Sequence, residues 1–130
     1  MKVIDGEGAV LGRLASYAAK EALKGEEIIV LNSEKIIITG SKKWIEGEFT
    51  RKRQMAGTSQ KGPRHSRPSY MIVKRTIRGM LPDHRTGTGR DAFKRIKCYV
   101  GFPEEFKDKK TIKIVGKEKN KFIKVEYIAK

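Results

Sequence analysis

The chain has 130 residues, of which 38% are hydrophobic and 35% are charged, and its formal net charge at pH 7 is +15. This length and composition predict a single folded domain over residues 1–130 and exclude a disordered chain, and the charge predicts an anionic partner. The longest purely apolar run, Ile28 to Leu31, is too short to span a membrane, and no secretory signal precedes the first predicted strand. The single cysteine, Cys98, cannot form an internal disulfide, which fits a reducing cytosol.

Residues 1 to 50 are nearly neutral, with seven Lys and Arg against eight Asp and Glu, and their pattern predicts a scaffold. Residues 3 and 4 predict a short strand, and apolar residues recur at helical spacing from Leu11 to Ala22, after which Gly25 predicts the end of a helix. The run Ile28 to Leu31 is apolar on both faces, which predicts a central strand covered on both sides. We therefore expect an α/β fold with three layers, α/β/α, around a mostly parallel central sheet of about four strands.

A second helix is predicted after a turn at residues 32–35 and a short strand at residues 36–38. Ser41 is its expected N-cap. The helix is expected to pack three apolar side chains, namely Trp44, Ile45 and Phe49. It ends in consecutive cations, which exceed what the helix macrodipole requires: Arg51, Lys52 and Arg53.

Positive charge is concentrated in residues 51–97, here called the basic segment, which carry fourteen Lys and Arg against two Asp and Glu. Residues 57–69 contain cations and no apolar anchor, so we predict a functional loop or one that a partner orders. A helix is predicted from an N-cap at Ser69 to Leu81, where Pro82 ends it. One arc of that helix is apolar and the adjacent arc is cationic, which suits a phosphate backbone. The apolar arc comprises Val73, Ile77, Met80 and Leu81, and the cationic arc comprises Lys74, Arg75 and Arg78.

The stretch PDHRTGTGRDAFKRIK, residues 82–97, contains the pattern G-x-G-x-x-A at Gly87, Gly89 and Ala92, a variant of the dinucleotide-binding fingerprint. The strand that this fingerprint requires is missing, because a predicted helix precedes the stretch. We interpret it as a glycine-rich loop and a short helix, in which backbone amides approach phosphate groups and cations hold them. The alternative is a solvated turn. The cations are Arg85, Arg90, Lys94 and Arg95.

A second glycine pattern, Gly6, Gly8 and Gly12, lies between a predicted strand and a predicted helix, which is the context of a pyrophosphate site. Glu7 would place a carboxylate against the phosphates of a bound nucleotide. The sequence therefore favours a turn with close helix packing over nucleotide binding at this position.

Catalytic and metal-binding patterns are scarce. His65, His84 and Cys98 form no pair at zinc-ligand spacing, and Asp83 beside His84 marks no nucleophile. We therefore expect no catalytic residue, no metal and no cofactor, and we expect the histidines to contact nucleic acid. Aromatic residues make up 8% of the chain and do not interleave with the cations, which predicts recognition of phosphate and shape.

The C-terminal third predicts two more strands. Ile96, Cys98 and Val100 alternate as in a strand, with Cys98 as a buried hydrophobe, and residues 112, 114 and 115 predict another. The last ten residues fit a strand or a closing helix, and both alternatives stay open.

Four stretches together resemble one known family: VIDGEGAVLGRLAS, NSEKIIITGSK, RTIRGMLP and TGTGRDAFKRIKCYVGFP. They resemble the large-subunit ribosomal protein L-thirteen family, in its archaeal and eukaryotic branch, over residues 1 to about 105. The most specific matches are residues 77–82, then Gly89 and Arg90, then Ile96, Tyr99 and Gly101. The length of the loop after Pro82 favours the archaeal type, and residues 106–130 match the family only loosely.

The resemblance implies a three-layer α/β fold, no catalysis, and a place in the large subunit of cytoplasmic ribosomes. The implied partners are large-subunit ribosomal RNA and neighbouring large-subunit ribosomal proteins, with no membrane and no small-molecule substrate. Arg85, Arg90 and Arg95 are expected to be exposed in the free protein. The family's RNA-facing loop and helix, carried over by position onto the basic segment, predict these RNA-binding residues: Arg51, Lys52, Arg53, Lys61, Arg64, His65, Arg67, Lys74, Arg75, Arg78, Arg85, Gly87, Gly89, Arg90, Lys94, Arg95 and Lys97.

Two other functions stay open from the residues alone. A nucleotide-dependent RNA-modifying enzyme would use the glycines at positions 6, 8 and 12. A general nucleic-acid-binding protein would bind duplex DNA as well as RNA, since net charge does not distinguish the two polymers.

Overall fold

The computed structural model describes residues 1–54, 65–114 and 121–129, in which the chain forms six strands and five α-helices. The strands are β1 Lys2–Asp5, β2 Ile28–Leu31, β3 Ile37–Thr39, β4 Ile96–Cys98, β5 Thr111–Lys113 and β6 Phe122–Lys124. The helices are α1 Leu11–Leu23, α2 Lys42–Gln54, α3 Ser69–Gly79, α4 Gly87–Lys94 and α5 Val125–Ile128. Short 3-10 turns cover Ser33–Lys35 and Glu104–Phe106.

The central sheet has four parallel strands in the order β4-β2-β1-β5. Every residue of β2 is buried, as its unbroken apolar sequence predicts for an interior strand. Strands β3 and β6 form a separate antiparallel pair in which Ile38 lies opposite Ile123. The predicted α/β class, with a mostly parallel sheet of about four strands, is therefore confirmed.

Side chains of the central sheet alternate between two apolar clusters. Ile4 and Val30 belong to the larger cluster, which also contains buried residues of α1, α3, α4 and α5. Val3 and Ile29 project to the opposite face, where Phe106 of the second 3-10 turn packs against them. Because burying one Ile or Leu side chain contributes roughly 1.5–3 kcal/mol, the larger, helical cluster supplies most of the hydrophobic stabilisation.

Helix α1 confirms the predicted apolar pattern. It ends at Leu23, and Gly25 has a φ of 99°, which suits the residue that follows a helix cap. Glu21 is buried on this helix, and hydrogen bonds from Lys2 and Lys24 hold the pKa of its carboxyl below its ordinary value. The predicted buried residues are Leu11, Leu14, Ala15, Ala18 and Ala22, and all of them are buried.

Helix α2 departs from the prediction at one side chain. Ile45 is buried and Phe49 is half-buried as expected, but Trp44 is 67% exposed. Successive helical residues lie about 100° apart, so the inward direction of Ile45 turns Trp44 away from the core.

The predicted strand at residues 36–38 lies one residue later, because Ile36 still donates its N–H to Ser33 of the preceding 3-10 turn.

Helix α3 begins and ends differently from the prediction. Pro68, and not Ser69, stands at the cap position, and Ser69 is a buried first residue. The helix ends at Gly79, so Met80 leaves the predicted apolar arc and is 44% exposed. Ile72 was missed and is buried in this arc. The rest of the arc is buried as predicted, with Val73 and Ile77 fully inside and Leu81 just beyond the helix.

Strand β4 is shorter than predicted. It ends at Cys98, and Val100 lies in a bend beyond the strand and is 55% exposed, while Tyr99 packs on Phe106 at the opposite face of the sheet. Cys98 is half-buried, and burial raises the pKa of its thiol to about 12, so the thiol is protonated at neutral pH.

The last two predictions concern the C-terminal third. The strand predicted around residues 112–115 forms as β5. Ile114 comes directly after it and is half-buried, and Val115 lies outside the described residues. The ambiguous C-terminal stretch contains both alternatives, since β6 leads directly into the single turn of α5. None of the helices in the described part of the chain is long and apolar enough to cross a bilayer.

Candidate nucleic-acid interface

The outer face of α3 presents a row of cations. Its buried residues are packed against α1 and β4, and this packing fixes how the helix is rotated. Lys74, Arg75 and Arg78 therefore lie together on the opposite arc, half-buried at their bases. Met71 lies between them on this arc and is 37% exposed. The predicted cationic arc is thus present, with an apolar side chain at its centre.

A groove lies between α3 and the C-terminal part of α2, and we call it the α2–α3 groove. Its volume is about 180 Å³. Burial lowers the pKa of His65 at this groove, and the nearby charges of Arg75, Lys52 and Arg53 lower it further. The lowered pKa favours the neutral form of the imidazole, and burial is the largest cause. The groove is lined by Phe49, Lys52, His65, Ser66, Met71, Ile72, Arg75 and Thr76.

A second groove, the α3–α4 groove, lies on the other side of Met71. Its volume is about 330 Å³, and its lining residues are Ser66, Met71, Lys74, Arg75, Arg78 and Phe93. The ammonium of Lys74 lies 5.0 Å from the centroid of the Phe93 ring, within the range of a cation–π interaction. This contact orients one cation at the wall of the groove.

The chain enters α4 through a turn held by Asp83. Its carboxylate accepts hydrogen bonds from the backbone N–H of Arg85 at 3.0 Å and from the hydroxyl of Thr86 at 3.2 Å, and these bonds lower the pKa of the carboxyl. The ring of His84 lies instead 6.3 Å from the ring of Phe93. The carboxylate is thus engaged by the turn, which gives it a structural role in place of a catalytic dyad.

The glycine-rich loop of the prediction is in fact the first turn of α4. Gly87, with a φ of 64°, begins the helix and is exposed. Gly89 is buried, and a β-carbon there would lie 2.3 Å from the carbonyl oxygens of both Pro82 and Asp83. This glycine therefore allows two segments of the chain to pack closely, and the approach of its backbone to RNA stays a prediction. Arg85, Arg90 and Lys94 are exposed around it.

Two arginines of the basic segment are anchored to helix ends. The guanidinium of Arg95 donates to the carbonyl of Ala22 at 3.1 Å, in the last turn of α1. The guanidinium of Arg53 donates to the carbonyl of Ile128 at 2.7 Å, and burial lowers its pKa. The predicted exposure of Arg95 is wrong, because its side chain is half-buried and bonds to the Ala22 carbonyl, which also accepts the backbone N–H of Gly25.

The remaining predicted residues divide into three groups. Lys52 and Arg67 are exposed near the α2–α3 groove or the chain that leads into it, and Arg51 pairs with Glu48 at 2.9 Å on α2. Lys97 is exposed on β4 opposite Ile29 in the sheet register, and so it lies on the face away from α3. Lys61 and Arg64 lie outside the described residues.

Three apolar residues at the grooves were missed as functional candidates. Phe49 and Phe93 come from separate helices, and Met71 comes from the cationic arc itself. Met71 could have been found, because a helical projection of α3 places it between Arg75 and Arg78. The sequence does not indicate that Phe49 and Phe93 line grooves, because only tertiary packing brings α2 and α4 to the two sides of α3.

The glycine pattern at residues 6, 8 and 12 is closely packed at its first position. A β-carbon at Gly6 would lie 2.7 Å from Ile36 and 2.8 Å from the carbonyl oxygen of Leu31. The backbone N–H of Glu7 donates to the carboxylate of Asp5. This geometry supports close packing at Gly6 and a turn at Gly8, whose φ is 74°, whereas the space around Gly8 and Gly12 is open. In the described ranges, no group of His, Cys, Asp and Glu side chains is arranged to hold a metal ion.

The fold and this surface define a small basic α/β protein with a concentrated cationic helical face. A family model described as Ribosomal protein L13 matches residues 1–105, and the chain belongs to this family. Proteins named "Large ribosomal subunit protein uL13" are similar to it. The one from Methanocaldococcus jannaschii is 49% identical over 107 residues, which cover 80% of this chain and 77% of that relative.

Two further relatives with the same name define the extent of the similarity. The protein of Methanopyrus kandleri is 54% identical over 101 residues, which cover 78% of this chain and 62% of that relative. The protein of Methanococcoides burtonii is 41% identical over 128 residues, which cover 98% of this chain and 91% of that relative. Similarity to this last relative thus extends beyond the part that the family model matches.

Proposed function

We propose that this protein is a structural constituent of the large ribosomal subunit, where it binds and stabilises ribosomal RNA. Membership of the ribosomal protein L13 family and the names of its archaeal relatives support the place in the large subunit. Its partners are then large-subunit ribosomal RNA and the neighbouring ribosomal proteins, and its location is the ribosome in the cytoplasm. The role is structural and requires no cofactor or small-molecule substrate.

The outer face of α3 carries the proposal. Lys74, Arg75 and Arg78 project from a helix whose other face is packed in the core, so the packing of the helix sets where these cations emerge. Cations that neutralise phosphates release the counterions of the RNA, which favours binding. Arg85, Arg90 and Lys94 extend the cationic surface along α4.

Few carboxylates compete for these cations within their own segment. Asp83 and Asp91 are the two acidic residues among residues 51–97, and Asp83 is engaged in the turn before α4. Positive charge therefore exceeds negative charge along α3 and α4. A long polyanion satisfies such a surface better than a single mononucleotide does, because it can contact several cations at once.

The test is a titration of the full chain against fragments of large-subunit ribosomal RNA, with transfer RNA and duplex DNA at matched salt as competitors. We expect tighter binding to a ribosomal fragment, and a steep loss of affinity with salt that corresponds to about six to ten phosphate contacts. Equal and weak binding to all three polymers would refute the ribosomal role. Cosedimentation with large-subunit particles on a sucrose gradient checks the same conclusion in cell extracts.

A thermal-shift screen with mononucleotides tests the competing enzyme hypothesis. Because Gly6 is packed against Ile36 and Leu31, we expect no selective stabilisation by any nucleotide. An increase of several degrees with one nucleotide would favour the RNA-modifying enzyme over the structural role.

A further inference from the structure

The α3–α4 groove differs from a surface built only for phosphates. Phosphate contacts need cations and amides, yet the groove is also lined by the side chains of Met71 and Phe93, beside Lys74 and Arg78. Met71 and Phe93 thus give this cationic groove an apolar part as well. The combination indicates a ligand that is both flat and apolar and negatively charged.

We propose that the α3–α4 groove binds an unpaired nucleotide of the RNA, with its base against Met71 and Phe93 and its phosphate beside Lys74 and Arg78. This inference rests on the proposed function and specifies the kind of RNA that the surface takes. In a regular RNA duplex the bases are stacked inside and only backbone reaches the protein. An unpaired nucleotide in a bulge or loop presents a free base face and a phosphate together.

The size and walls of the groove suit this occupant. Its volume of about 330 Å³ is at the lower end of the range of small-ligand pockets, which is the scale of one nucleotide. Phe93 is half-buried by contact with the main core cluster, so its ring is held rigidly. Met71 is unbranched and polarisable, and such a side chain adapts to a flat surface without requiring a particular base.

The cations stand where the sugar-phosphate of that nucleotide would run. Lys74 is held 5.0 Å above the Phe93 ring, and Arg78 lies one helical turn farther along α3. A nucleotide that slides onto the edge of the Phe93 ring thus meets an ammonium beside the aromatic face. Its neighbours in the RNA chain continue toward Arg85 and Arg90, which are exposed beside α4.

The test compares two RNA duplexes with the same number of nucleotides. One duplex carries a two-nucleotide bulge that includes 2-aminopurine, and the other is fully paired, with one additional base pair in place of the bulge. We expect the wild-type protein to bind the bulged duplex about tenfold more tightly at physiological salt, since base stacking on a side chain contributes that order of affinity. The fluorescence of 2-aminopurine should change on binding.

Two substitutions in the groove test where this preference arises. Met71→Ala and Phe93→Leu are expected to reduce the tenfold preference to about twofold while leaving the affinity for the paired duplex nearly unchanged. Tyr70→Ala is the matched control, because Tyr70 is 39% exposed on the same helix but does not line the groove. Thermal unfolding of each variant verifies that Phe93→Leu remains folded, and Met71→Ala provides the test if it does not.

The outcomes separate this inference from the proposed function. If the wild-type protein binds both duplexes equally and with strong salt dependence, the nucleotide site is refuted and RNA binding stands. An unchanged preference in Met71→Ala and Phe93→Leu also refutes the site. If neither duplex nor any ribosomal fragment binds, the proposed function itself fails.

Discussion

The N-terminal fifty residues and the basic segment contribute to the same central sheet, but they treat charge in different ways. In the first region, Lys2 and Lys24 both contact the buried carboxylate of Glu21, and Lys35 lies 4.0 Å from Glu7. In the basic segment, fourteen cations share a segment with only two carboxylates. The first region thus pairs part of its charge internally, whereas the second has a large excess of positive charge.

One side chain crosses from the second region to the first. Arg95 belongs to the basic segment, yet its guanidinium donates to the carbonyl of Ala22 at the end of α1. Charge density alone therefore does not identify an interface residue. A cation that bonds to a carbonyl at a helix end stabilises the fold, whereas Arg85, Arg90 and Lys94 are exposed on α4 or just before it.

The largest expected effect concerns the packing that positions α4. Gly89→Ala would place a β-carbon 2.3 Å from two backbone carbonyl oxygens, which cannot move without displacing the turn. We expect the free energy of unfolding to fall by about 3 kcal/mol, at the upper end of overpacking effects, as measured by denaturant unfolding. Gly79→Ala is the control, because the space around Gly79 is open and alanine favours the helix. Equal stability of the two variants would contradict the packing role of Gly89.

The second prediction separates the two kinds of arginine. Arg95→Ala removes a charged hydrogen bond to a helix end and should lower the free energy of unfolding by about 1–2 kcal/mol. Arg90→Ala, at an exposed position on α4, should change it by less than about 0.5 kcal/mol. RNA titration should give the reverse order, with Arg90→Ala weakening affinity severalfold and lowering the salt slope by about 0.9. The distinction between anchored and outward cations fails if the two variants behave alike in both measurements.

A smaller effect is expected from His65, through pH. In the free protein, burial and the cations Arg75, Lys52 and Arg53 hold its pKa below the ordinary value of 6.5. Bound phosphates would offset those charges and raise the pKa, so RNA binding would take up a proton and tighten as pH falls. We expect affinity to increase about threefold more between pH 7.5 and 5.5 in the wild type than in His65→Gln, since a small shift in pKa has an effect of that order.

His84→Gln provides the control for this experiment, because His84 contacts Phe93 and does not line the α2–α3 groove. The control variant should keep the wild-type dependence on pH. Should His65→Gln keep it as well, the proton is taken up elsewhere and the α2–α3 groove does not bind phosphate.

The smallest effect concerns the neutralised region. Hydrogen bonds from Lys2 and Lys24 hold the pKa of Glu21 below its ordinary value of 4.5, so the folded state favours the ionised carboxylate. The resulting stability is present above the ordinary pKa and is lost as pH falls through the lowered one. Glu21→Gln should therefore lower the melting temperature slightly at pH 7, and the difference from the wild type should disappear in acid. Glu27→Gln, at an exposed site, should have no such dependence.

The fold was largely predictable because its signals are local. Burial of β2 on both faces follows from an unbroken apolar run, and the course of α1 follows from apolar residues at helical spacing with Gly25 beyond them. The family was recognisable for a similar reason, since its short motifs lie in contiguous stretches. Errors occurred in the direction of one side chain and at the end of one element: Trp44 points away from the core, and Val100 lies beyond the end of β4.

The candidate site was predictable only in part. The cationic arc of α3 follows from helix geometry, because residues three and four positions apart share a face. The roles of Gly89 and Arg95 could not be predicted from helix geometry, because each depends on a contact with another segment of the chain. The two grooves could not be predicted either, because their walls come from three helices that are separated along the chain.

By itself, the sequence determined the α/β class, the family, and the concentration of positive charge in one segment. Composition and periodicity record these properties, because each depends on neighbouring residues or on totals. Only the tertiary structure decided which cations serve the fold and which face outward, and that Phe49 and Phe93 flank the cations of α3. The physical reason is that burial and hydrogen bonding depend on which surfaces meet, and residues far apart in the chain meet only when the helices pack on the sheet.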